Sequence, residues 1–207
     1  MRGCTETESS SGDLPRCRGK SAQRIDYERV IAALRHRTEK SWQDTSMLIR
    51  AAAPDDSDAI WSIMEPIVRA GETYTLPRDM EKEAALAYWQ SAGHEVFVAE
   101  DEGQVVGTYF LMANQKGRGS HVANCGYMTS VAAMGRGVAR AMCAHSLERA
   151  RERGFRAMQF NFVVSTNERA VRLWQSLGFA IVGRLTGAFD HPAQGYVDAF
   201  VMYRDLT

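Results

Sequence analysis

The sequence predicts a mixed α/β fold of seven strands and four helices, in the order β-α-α-β-β-β-α-β-α-β-β. Three features carry this reading. "EVFVAEDEGQVVGTYFLMAN" is two apolar runs joined by a turn, as in a hairpin. "GVARAMCAHSLERARERG" repeats its apolar residues at helical spacing directly after a glycine-rich turn. "STNE" opens a second amphipathic segment with the pattern of a capping box, Ser165 at the cap and Glu168 three residues on.

The patterned region begins at Met47. Leu48–Ala52 reads as a strand, Pro54 and Asp55 open a helix to about Ala70, and "GETYTLPRD" is a loop rich in turn residues. A helix over about 80–91 precedes the hairpin. The loop "QKGRGSH" leads to a strand from about His121 to Val131. The helix after the glycine turn presents Val138, Ala141, Ala144, Leu147 and Ala150 on one side and stops at Gly154. A strand over 156–164, a helix to about Leu177 and strands over about 179–186 and 196–204 complete the chain, the last two flanking "GAFDHPAQG". Residues 1–46 are different: polar, without periodicity, and expected to be a disordered or dispensable extension carrying one short helix over "IDYERVIAALRHRTEK". The working domain is expected to be 47–207.

Composition narrows the function. With 207 residues, 45% hydrophobic and 24% charged, the chain has the make-up of a globular protein. Its formal net charge is zero, so nothing favours nucleic acid or an anionic membrane. No apolar run approaches the ~20 residues of a spanning helix, and Arg2 is not followed by the apolar segment of a secretory signal. The four cysteines lack CxxC spacing, which points to reduced thiols in a cytoplasm and to no metal site.

"MGRGVARAM" is the strongest local signal. Gly135 and Gly137 permit positive φ and close approach of an anion, and the helix that follows offers free N–H groups. A plain tight turn is the competing reading. A Rossmann site wants an acidic residue about 20 positions on, and residues 155–165 contain none. "RGKS" at 18–21 ends like a Walker loop, but Leu14 stands where that loop needs glycine.

Strand, "GRGVA" loop, helix, strand and "NERAVRLWQSLGF" together resemble the GCN5-related N-acetyltransferase (GNAT) superfamily over about 47–207. "SHVANCGYM" and "FNFVVSTNERAVRLW" look like the fungal type that acetylates the proline analogue azetidine-2-carboxylate. The resemblance implies a mixed central sheet of about seven strands with helices on both faces, strands 4 and 5 splayed for acetyl-CoA. It implies that the backbone of Gly135, Arg136, Gly137, Val138 and Ala139 holds the pyrophosphate, that Met128 and Ser130 pair with the pantetheine, and that Asn167 contacts CoA. It assigns catalysis to two asparagines: Asn161, orienting the amine and stabilising the tetrahedral intermediate, and Asn124, holding the substrate. Both interrupt apolar runs, where an unpaired amide would be costly; bonding to neighbouring backbone would also account for them. Glu72 and Tyr74 fall in the region where the family lines its acceptor pocket.

There are departures. Met134 replaces the usual Gln or Arg, Thr129-Ser130-Val131 replaces "V-x-P", and Trp174 stands where many members carry the tyrosine that protonates the departing thiolate. His191 and Asp190 are weaker candidates in the last hairpin, and His145 reads as a surface residue. Trp61, Tyr88 and Trp89 read as core or groove-edge residues. The expected activity is acetyl-CoA-dependent acetylation of a small amine, an amino or cyclic imino acid, by direct attack in a ternary complex. Acetylation of protein amines and a weakly active acyl-CoA-binding regulator are the alternatives. A homodimer is left open.

Overall fold

The computed structural model describes residues 47–207; the segment before Met47, with its expected helix, lies outside them. Seven strands run β1 (Leu48–Ala51), β2 (Glu95–Asp101), β3 (Gln104–Ala113), β4 (Val122–Thr129), β5 (Ala157–Val164), β6 (Ala180–His191) and β7 (Gly195–Asp205). The helices are α1 (Ser57–Ala70), α2 (Lys82–Trp89), α3 (Val138–Glu152) and α4 (Glu168–Ser176). The strands form one sheet of order β1-β2-β3-β4-β5-β7-β6, antiparallel throughout except for β4 and β5, which are parallel.

Alternation along the central strands builds two apolar layers. Phe97, Ala99, Tyr109 and Leu111 enter a core with Val138, Met142, Cys143 and Leu147 of α3 and Trp174 of α4. Their neighbours Val98 and Phe110 face the other way, against Ile60, Ile63 and Met64 of α1 and Ala85 and Trp89 of α2. Successive strand residues point to opposite faces, so helices cover both sides, as the resemblance implies. α3 lies close on its layer: a Cβ built on Gly107 would stand 2.7 Å from Val138 Cγ1 and 3.0 Å from Met142 Cε.

Two boundaries move. "GAFDHPAQG" is largely strand: β6 runs through His191 and a three-residue turn leads into β7. Ser165 does not cap α4, because its N–H still bonds the Asp198 carbonyl; the cap is Asn167, whose Oδ1 accepts from Ala170 N at 3.3 Å. Within α3, Ala144 is exposed while Val138, Leu147 and Ala150 are buried.

A polar clamp fixes the start of the domain. Arg50 of β1 donates to both oxygens of Asp56, at 2.7 and 2.9 Å, and to Glu100 of β2 at 3.0 Å; Ala53 N also donates to Asp56. The Arg50 hydrogen bonds hold the Asp56 carboxyl below the ordinary carboxylate range, against a desolvation that acts the other way. A depressed folded-state pKa stabilises the fold above the unfolded value, near pH 4, and that stabilisation is lost as the pH falls below it. Asp56→Ala is expected to cost about 1–3 kcal/mol in urea unfolding at neutral pH. The gap from wild type should narrow on acidification below about pH 4.

Candidate active site

β4 and β5 pair at only two positions, Val122 with Ala157 and Ala123 with Met158, and then separate into a fork. One side chain extends the ladder by a rung: Asn124 Nδ2 donates to the Gln159 carbonyl at 2.8 Å. Asn114 N–H bonds the Val122 carbonyl and Ser130 N–H bonds the Val106 carbonyl. In an antiparallel ladder this alternation turns the main-chain groups of residues 124, 126 and 128 toward β3, and those of Cys125, Tyr127 and Thr129 toward the fork. The expectation for Met128 and Ser130 is therefore corrected by one residue. Met128 is tied to Thr108 and Ser130 to Val106, and it is Tyr127 and Thr129 that face the opening. The Tyr127 carbonyl already accepts from the Tyr74 hydroxyl at 2.8 Å.

At the mouth of the fork β5 carries a β-bulge. Phe160 pairs with Met202 and Val163 with Phe200, so Asn161 and Phe162 together stand opposite Val201. Phe160 and Val163 both enter the α3–α4 core. The two bulged residues are thus turned to the opposite face, the re-aiming that bulges produce beside functional sites. Asn161 is exposed there, not buried as its apolar neighbours suggest, because β4 has moved away. It forms the middle of a row of three carboxamides. Gln159 Nε2 donates to Asn161 Oδ1 at 2.8 Å, and Asn161 Nδ2 donates to Asn114 Oδ1 at 2.6 Å. Asn114 and Gln159 are missed by the sequence reading; the only signal is that each lies two residues from a chosen position or at a strand end, and the row depends on register.

The glycine turn joins β4 to α3. Gly135 has φ +84° and Gly137 φ +83°, with no atom within 4 Å of where a Cβ would stand on either. The first N–H groups of α3, from Val138 onward, lack intrahelical partners by the geometry of a helix start. Arg136 fits its expected role less well. Its N–H bonds the Ala133 carbonyl at 3.3 Å, and its guanidinium is paired with Asp101 at the end of β2. Met134 is 55% exposed and offers the turn no polar group.

Other expected residues fall as follows. Asn167 caps α4 with its oxygen, leaving its amide N–H groups available for a ligand. Glu72 is exposed and Tyr74 half-buried at the fork. Trp174 is buried, its ring 5.1 Å from that of Tyr127 and 5.3 Å from that of Phe160. Its indole has no acidic proton to offer a thiolate. Tyr127 donates or accepts at Ser146 Oγ, 2.7 Å away, and burial pushes its phenol far above the ordinary value. His145 is no surface residue: its Nδ1 lies 2.6 Å from the Tyr109 hydroxyl, and burial lowers its pKa. Trp89 is fully buried, Trp61 half-buried beneath the Arg69 guanidinium, and Tyr88 is 40% exposed. Cys125 and Cys143 are buried free thiols; burial raises Cys125 well beyond the usual thiol range and Cys143 to about 12.

The splayed parallel pair and the glycine turn at a helix start are what the resemblance implies for this fold. The sequence profile of the acetyltransferase (GNAT) family matches residues 60–179. The chain belongs to that family and is an acetyltransferase. It is 42% identical to a GCN5-related N-acetyltransferase from Kribbella flavida, whose structure superposes with a TM-score of 0.74 over 77% of this chain and 98% of that one. The N-acetyltransferase aca1 of Schizosaccharomyces pombe is 33% identical over 98 residues; the match spans 47% of each chain, about half the length of that relative. The fold also matches a phosphinothricin acetyltransferase from Sinorhizobium meliloti in complex with acetyl-CoA, at 22% identity and a TM-score of 0.69, over 77% of this chain and 88% of that one. Among the described residues, no helix is long and apolar enough to cross a membrane.

Proposed function

We propose that the protein transfers the acetyl group of acetyl-CoA to the amine of a small amino or cyclic imino acid. The observation that carries this is Asn161, turned out of β5 by a bulge at the mouth of the β4–β5 fork. In this reading the pantetheine lies along β4 and pairs with the fork-facing main chain of Tyr127 and Thr129. The pyrophosphate sits on the N–H groups of Gly135, Gly137, Val138 and Ala139, where the helix start favours negative charge. Asn167 contacts CoA through its free N–H groups.

The amine arrives neutral, or loses its proton to water, and attacks the thioester carbonyl directly. Attack forms the C–N bond and a tetrahedral oxyanion; the nitrogen then gives up its proton to water, the carbonyl re-forms as the C–S bond breaks, and CoA leaves as a thiolate that takes a proton from water. Asn161 orients the nitrogen through its oxygen and stabilises the oxyanion through its N–H, a role that needs a preorganised amide. Gln159 and Asn114 fix its rotamer. Asn124 acts as a positioning residue: its N–H holds β5 at the start of the fork, which keeps the site's two walls in register. Cys125 takes no part, because a nucleophilic thiol needs an accessible thiolate and this one is buried and hard to ionise. Residues 47–207 are the working unit.

The test is CoA thiol release by the full chain and by 47–207, with acetyl-CoA and a panel of amino acids, imino acids, polyamines and short peptides. Turnover confined to amino or imino acids, equal in both proteins, is the expected result. Turnover on peptides alone would move the assignment to protein amines. Acetyl-CoA binding without turnover on any acceptor would make the protein an acyl-CoA-binding regulator.

A further inference from the structure

The carboxamide row that holds Asn161 has a direction and an unused end. Gln159 Nε2 donates to Asn161 Oδ1, and Asn161 Nδ2 donates to Asn114 Oδ1. Each amide oxygen has two lone pairs and each amide nitrogen two protons. Asn161 therefore keeps one lone pair and one N–H for a ligand. Asn114 gives its oxygen to the row and keeps both N–H groups, which have no protein partner among the described residues. Its main chain is fixed just past the end of β3, where Asn114 N donates to the Val122 carbonyl at 2.8 Å, and its side chain is half-buried. His191 and Asp190 pair with Gly195 and Tyr196 at the end of the β6–β7 ladder and take no part in the row.

The spacing of the two asparagines suits one small molecule. Oxygen and nitrogen of a carboxamide stand about 2.3 Å apart. Two amides joined at 2.6 Å therefore place Asn161 Oδ1 and Asn114 Nδ2 at most about 7 Å apart. An α-amino acid has roughly 3 Å between its nitrogen and a carboxylate oxygen, and with a hydrogen bond of about 2.9 Å at each end it spans up to about 9 Å. A single acceptor thus reaches both side chains.

The charge nearby has the matching sign. β3, β4 and β5, which carry Asn161 and wall the fork, contain no Asp or Glu. The turn directly after Asn114 carries Lys116 and Arg118, both exposed and neither in an ion pair among the described residues. A site for a polyamine would need the reverse.

We propose that the N–H groups of Asn114 bind the carboxylate of the acceptor, making Asn114 the residue that selects α-amino or α-imino acids over simple amines. This rests on the acetyl-transfer reading above and adds the recognition of the second functional group. Asn161 Oδ1 takes the nitrogen, Asn114 Nδ2 takes the carboxylate, and the hydrogen bond between the two amides sets the spacing. A carboxylate is the matching partner because a hydrogen bond to a charged acceptor is stronger than one to a neutral group.

The test compares kcat/KM for an amino or imino acid with that for its primary amide, at one pH, in the full-length wild type, Asn114→Asp and Asn114→Gln. Wild type should prefer the acid by about 10- to 100-fold, the range a hydrogen bond to a charged group supplies. Asn114→Asp keeps an oxygen for Asn161 Nδ2 but replaces the donor with a negative charge. It should remove or reverse the preference, through KM for the acid more than through kcat. Asn114→Gln, with its donor on a longer arm, should keep part of it. Acetyl-CoA affinity of each variant reports on folding. A preference that survives in Asn114→Asp overturns the assignment. So does an equal loss on acid and amide, the mark of a residue that only holds Asn161 in place. Wild type that does not favour the acid overturns it while leaving acetyl transfer intact; acetyl transfer to no amine at all overturns both.

Discussion

Asn161→Ala is expected to lower kcat by about 10²- to 10³-fold, the size of effect seen when one preorganised donor to an oxyanion is removed. Affinity for acetyl-CoA should change little, because the fork main chain and the glycine turn do not depend on this side chain. Single-turnover thiol release, with acetyl-CoA affinity measured beside it, separates the two. Asn114→Ala should fall between wild type and Asn161→Ala, since it removes only the acceptor that holds Asn161 Nδ2 at 2.6 Å. A full rate in Asn161→Ala would reduce the carboxamide row to a surface feature of the bulge.

The largest loss of stability is expected at Trp89. Its ring is fully buried, edge-on to Phe110 at 4.8 Å and to Tyr74 at 6.2 Å. Its indole N–H donates to Thr108 Oγ1 at 3.0 Å, and that hydroxyl donates to the Phe97 carbonyl. α2 is an eight-residue helix, too short to persist without its packing. Trp89→Ala should cost about 3–5 kcal/mol through the cavity it leaves. Trp89→Phe should cost less than half of that, losing one hydrogen bond and part of the ring. Urea unfolding followed by circular dichroism measures both. Because Tyr74 leans on this ring and reaches the Tyr127 carbonyl, Trp89→Ala should also weaken acetyl-CoA binding.

Periodicity made the element order legible, and the hairpin of β2 and β3 is the clearest case: its alternating apolar residues divide between the two layers as the pattern requires. The errors share a cause. Whether Met128 or Tyr127 faces the fork depends on which residues β3 pairs with, and nothing within β4 announces it. The bulge at Asn161 and Phe162 is likewise a property of β5 against β7, so an exposed asparagine reads as a buried one. Ser165 has the composition of a cap but remains in strand geometry through Asp198, which passes the role to Asn167. His145 is polar by type and half-buried by position, because Tyr109 on the facing strand supplies its partner. Local chemistry was readable; partners distant in sequence were not.

The shortness of the β4–β5 ladder has a consequence for how the protein behaves without its cofactor. Past Ala123, β4 has the free main chain of a sheet edge, yet it lies in the middle of the sheet. Open edges recruit other strands, and sheets ordinarily protect them at their margins. Here the protection is a side chain at each end: the Asn124 amide closes the inner corner and the Tyr74 hydroxyl covers a carbonyl farther out. A bound pantetheine would complete that cover. Cofactor supply then sets solubility as well as turnover: protein stripped of acetyl-CoA should self-associate on warming sooner than protein saturated with it, with no difference in sequence between the two samples.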